Sequence, residues 1–194
     1  MVIFRKKVEN LNWHNTIGIV AKYSARLAGL TILASAGLVS LEVIFRNLEI
    51  NIRLYSFELT NYGFACAVAF ALSYATAQRS HIRIDLFYRF ASLKTKALLD
   101  ITSILIIFFL ASGMAYYAWK VVIHSHKLNA KPNTTLDIPL AIPQAIWAVG
   151  LTLFSLVSFS LLLRAIFLFY RGDALRVRDE IGLISDKSEE RQHD

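Results

Sequence analysis

The chain has 194 residues, 56% of them hydrophobic and only 18% charged, with a mean hydropathy of +0.48. A soluble domain of this size carries about a quarter charged residues. Here the apolar residues also gather into long blocks, which excludes an ordinary soluble domain and indicates a membrane protein. In such a chain a net charge of +7 belongs to cytoplasmic loops rather than to nucleic-acid binding.

The opening MVIFRKKVENLNWHN is not a cleavable secretory signal, because polar sequence follows its basic residues where an apolar core would stand. Val2, Ile3, Phe4, Val8, Leu11 and Trp13 instead give this stretch an apolar side that suits the membrane interface. A crossing helix needs about 20 mostly apolar residues, and four stretches qualify. The first is Leu27–Phe45, with Glu42 near its end. The second, Leu59–Ala77, is rich in small residues and contains the single cysteine, Cys66. One cysteine excludes an intrachain disulfide and a thiolate-cluster metal site. After it comes IRIDLFYRFASLKTKAL, where Ile82, Leu86, Phe90, Leu93 and Ala97 recur at helical spacing. Arg83, Arg89, Lys94 and Lys96 fall mostly off that stripe, so the segment over about 82–97 is expected to lie along the inner leaflet with its basic groups at anionic headgroups. The third span is Leu98–Trp119, and the fourth is Ile142–Leu163, extending as helix toward Tyr170.

The fold class is therefore an all-α membrane protein with four transmembrane helices and one or two interfacial amphipathic helices. Residues 1–26 form an N-terminal cytoplasmic or interfacial segment, 27–170 the membrane domain, and 171–194 a charged tail. With Arg164 set aside, 15 Lys and Arg fall before span one, between spans two and three, or after span four, against five in the other two loops. Both termini are thus expected to face the cytoplasm. Tyr116, Tyr117, Trp119 and Trp147 fall where the outer interface would then be.

Chemistry is poorly represented. The five histidines, His14, His81, His124, His126 and His193, all lie outside the spans, which disfavours a haem-holding respiratory anchor because axial ligands must sit at membrane depth. The HSH at 124–126 is a weak metal signal without further converging ligands. No Ser-His-Asp set, phosphate-cradling glycine loop or HExxH helix occurs, so neither an enzyme nor a cofactor is expected. Glu42 and Arg46 have the i,i+4 order that favours pairing, and Glu58 opens span two, where a carboxylate complements the helix dipole. Together these three either form a polar cluster that fixes the first hairpin or docks a partner, or simply stop the helices. At the other end of span two, His81 and Asp85 are one turn apart, with Arg79 and Arg83 beside them. This cluster either anchors the bend or reaches a partner. A stand-alone exporter would need an acid nearer mid-membrane than Glu42 and more polar groups along a path. Gly29, Ala34, Gly37, Ala65, Ala69 and Ala71 favour close helix packing instead.

In order along the chain, VIFRNL, SFELTNYGFA, AQRSHIRIDLF and DIPLAIPQAIW resemble the small membrane subunit of tripartite ATP-independent periplasmic (TRAP) transporters, the DctQ-type family, over about Leu27–Tyr170. Arg46 matches the arginine that ends the first aliphatic run. Glu58 matches the glutamate that opens the second helix, and Arg79, His81, Arg83 and Asp85 match the turn and the segment after it. Glu42, the 48–57 connection and Val149-Gly150 depart from the family pattern. The resemblance implies a non-catalytic scaffold subunit in the bacterial inner membrane. Its implied partners are a large elevator-type membrane subunit and a periplasmic substrate-binding protein. It further implies sodium-coupled uptake of an organic acid, of dicarboxylate or sialic-acid class.

Overall fold

The structure is a computed structural model. It describes the backbone of residues 2–50, 52, 54–78, 93–133 and 137–172, with side chains from residue 17 in the first of these stretches and from residue 95 in the fourth. Among the described residues there are four helices and no strand: α1 (Val2–Asn47), α2 (Ser56–Ala77), α3 (Leu93–Lys127) and α4 (Ala141–Tyr170). The second helix ends at Ala77, as expected, and the fourth reaches Tyr170. The first and third are longer than their apolar cores. α1 starts well before Leu27, and Leu93–Ala97, expected to finish the inner-leaflet helix, forms the opening of α3. Ala97 does not face lipid; it is fully buried beside Leu168. The rest of that expected segment, with Arg83, Asp85 and Arg89, lies outside the described residues, as do Arg79, His81, the Lys94 side chain and the tail beyond residue 172.

Among the described residues three helices are long and apolar enough to cross a membrane, in the stretches Ile17–Asn47, Thr95–Lys127 and Ala141–Tyr170. α2 is also long enough, since its 22 residues rise about 33 Å, but it is less apolar. α1 packs chiefly on α2, α2 on α4, and α4 on α3, so α2 lies between two helices and several of its small or polar residues meet protein. Ala67, Ala69, Ser73 and Thr76 are buried there.

The packed faces follow steps of three and four, the 3.5-residue repeat of left-handed helix pairs. Along α3, Ala97, Ile104, Ala111, Ala118 and Ser125 stand seven apart and all are buried. On α1 the inward positions run through Ala21, Ser24, Ala28, Thr31, Ser35 and Leu38 to Glu42, while most other positions are exposed. Two glycines permit the closest approaches. A Cβ on Gly150 would stand 2.9 Å from the Ala69 Cβ and 3.2 Å from α2 backbone, and one on Gly63 would stand 2.9 Å from the Ser35 hydroxyl. These are small-residue contacts of the kind that join membrane helices, where dispersion between closely spaced backbones replaces the hydrophobic effect.

Helix ends reuse one device. α1 and α3 each stop with a residue in the left-handed region, Glu49 (φ 57°) and Asn129 (φ 46°). In each the following amide reaches back five residues, Ile50 to the Phe45 carbonyl at 2.9 Å and Ala130 to the Ser125 carbonyl at 2.9 Å. This six-to-one bond satisfies carbonyls that the helix leaves open.

Candidate functional site

Polar side chains matter most at the end of the bundle where α1 joins α2 and α3 joins α4, the expected outer end. The residue before α2, Tyr55, is left-handed and offers no side-chain cap. The first amide of the helix is satisfied from another helix: Ser56 N–H donates to Glu42 Oε2 at 2.8 Å. A carboxylate there also complements the positive end of the α2 dipole. Glu42 was expected to pair with Arg46. Its hydrogen bond goes to α2 instead, and the exposed Arg46, one turn on, supplies a favourable charge rather than a contact. The amide wins because a helix N-terminus has orphan donors that must be satisfied, whereas an exposed arginine is solvated. Glu58 lies in the first turn of α2, half-buried, and its Oε2 has no hydrogen-bond partner among the described residues. The structure thus brings Glu42 and Glu58 to the same helix end and leaves Arg46 at its rim.

Other links tie α3 to α4. Ser112 and Ser155 hydroxyls are 2.9 Å apart, and the Trp119 indole N–H donates to Thr152 Oγ1 at 3.0 Å. Most remaining hydroxyls turn back on their own helix. Thr31, Ser40, Thr76, Thr102, Ser158 and Ser160 each donate to the carbonyl four residues before, at 2.8 to 2.9 Å. Cys66 lies 3.7 Å from the Pro143 carbonyl at the α2–α4 contact. His124 and His126 are exposed at the end of α3, and among the described residues no three His, Cys, Asp or Glu side chains gather as a metal site would require.

Asp100 is a site that the sequence reading passed over. It is fully buried near the start of α3, and it, Lys96 and Arg164 all make polar or electrostatic interactions. The signal was present: an acid one turn inside an apolar run is costly in a membrane unless protein surrounds it. Lys96, expected at the lipid headgroups, is half-buried. Cations also lie over aromatic rings at both ends of the bundle. Lys120 sits 4.7 Å from the Tyr116 ring centre at one end, and Arg171 sits 4.0 Å from that of Phe167 at the other. On α4 the interval from Trp147 to Phe167 rises about 30 Å, the thickness of bilayer hydrocarbon.

Residues 35–168 match the family model for tripartite ATP-independent periplasmic transporters, DctQ component. The chain belongs to the DctQ family. The match covers more than half of the chain and takes in α2, α3 and nearly all of α4. No curated protein and no solved structure matches it. The protein is accordingly a small membrane component of a TRAP transporter, and its family is one of transporter components rather than enzymes.

Proposed function

We propose that this DctQ-family chain is the static scaffold subunit of its transporter. It crosses the bacterial inner membrane four times, with both termini in the cytoplasm. It braces a large elevator-type membrane subunit, and a periplasmic binding protein delivers an organic acid of the dicarboxylate or sialic-acid class for sodium-coupled uptake. The observation that carries this reading is how the polar groups are used. Most hydroxyls within the helices, those of Thr60 and Ser73 aside, bond their own carbonyls or tie one helix to the next, so they hold helices rather than line a path. The bare flanks of α1 support it as well, because only 6% of the most apolar stretch of α1 is buried, against 39% in α4.

Glu42, Arg46 and Glu58 then set the first hairpin. Arg79, His81, Arg83 and Asp85 anchor the bend after α2, and Arg83, Arg89 and Lys94 seat the inner-leaflet side. The test is purification from native membranes through a tag on this chain. A much larger polytopic membrane protein should accompany it in equal amount. Recovery of the chain alone from gently solubilised membranes would refute the scaffold role.

A further inference from the structure

α3 packs on α4 through its buried seam, so the face opposite that seam is turned away from the bundle. On this face Tyr116 and Tyr117 are 57% and 66% exposed. Their rings meet edge to face at 5.4 Å, and the Lys120 ammonium lies 4.7 Å from one ring centre and 5.9 Å from the other. Below them the same face is apolar, with Ile106 and Leu110 exposed. Gly113 lies one turn beneath Tyr117, and a Cβ built on it would meet nothing within 4 Å. That leaves a notch between two large exposed side chains. Above them His124 and Lys127 are exposed. Val121 and Ile123 are exposed there as well, so the trio stands where charged side chains first join the apolar surface. Among the described residues no carboxylate pairs with Lys120, and Asp137 in the adjoining loop is already bound to Lys131 at 2.8 Å.

We infer that Tyr116, Tyr117 and Lys120 form a binding site for the phosphodiester of a phospholipid headgroup. The two rings hold the ammonium in place by cation–π attraction, leaving its N–H donors and the tyrosine hydroxyls to meet phosphate oxygens. The notch at Gly113 receives the upper part of an acyl chain. A lysine that only snorkels to the interface or complements the negative end of the α3 dipole needs neither the ring pair nor the notch. The leaflet follows from the topology proposed above, but the site itself does not depend on it.

Native mass spectrometry of the delipidated full chain in detergent tests this, with phosphatidylglycerol titrated against dioleoylglycerol, which has the acyl chains without the phosphate. One phosphatidylglycerol should bind more tightly than dioleoylglycerol. Lys120→Gln should weaken that binding about fivefold, the effect of one basic group near a headgroup. Lys120→Arg should restore it, Lys22→Gln at an exposed cation on α1 should leave it unchanged, and replacing both tyrosines by leucine should weaken it with the charge still present. Unchanged binding by Lys120→Gln, equal loss in Lys22→Gln, or displacement by glycerol 3-phosphate at the same concentration would overturn the assignment. None of these results bears on the scaffold role, which is read from co-purification.

Discussion

At single residues, the contacts that matter are those made from one helix to another. Glu42 accepts the first amide of α2, so Glu42→Ala strands that donor. The expected loss is about 1 kcal/mol, the usual worth of a helix cap, and Glu42→Gln, which keeps an acceptor, should cost less. Hydrogen exchange at the Ser56 amide, alongside thermal unfolding in detergent, reads both; equal effects from Ala and Gln would contradict the cap. The two packing glycines should differ in the same way. At Gly150 an added methyl meets Ala69 and α2 backbone, whereas at Gly63 it meets the end of the Ser35 side chain. A hydroxyl can rotate away and a backbone cannot. Gly150→Ala should therefore destabilise by roughly 1–3 kcal/mol, the usual cost of overpacking, and Gly63→Ala by clearly less. The reverse order in melting temperature would show that the α2–α4 crossing is looser than described.

At the level of elements, what was legible in the sequence was whatever depends on local apolar length. The end of α2 at Ala77 and the reach of α4 to Tyr170 follow from unbroken apolar runs. The start of α3 at Leu93 was not legible, because the stripe that placed Leu93 and Ala97 on an interfacial helix is also the stripe that α3 buries against Leu168. Periodicity gives a face but does not say whether lipid or protein covers it. The Glu42 bond was missed for a related reason: i,i+4 spacing reveals partners within a helix and is blind to an amide fourteen residues away. Asp100 shows the same limit, since only the fold reveals that it is wholly enclosed. Asp100→Ala should lower stability by roughly 1–3 kcal/mol, through groups left without a partner, and a substitution with no effect on unfolding would argue against that enclosure. In the segment before α3, Arg83→Glu should impair assembly or membrane seating while substrate selectivity stays as it was. Blue-native electrophoresis and uptake competition measure the two, and an intact complex with altered selectivity would count against the anchoring role.

Over the whole molecule, the helices form an open series in which α1 meets chiefly α2, α2 meets α4, and α4 meets α3. Such an arrangement builds a broad apolar wall. It suits a subunit whose task is to offer surface to a larger neighbour and to the bilayer. The direct measurement is substrate flux into sealed proteoliposomes, with this chain alone or with its large membrane subunit and binding protein. The scaffold role predicts no flux above empty vesicles for the chain alone and sodium-dependent uptake only when all three components are present. Sustained substrate uptake by this chain alone would contradict it.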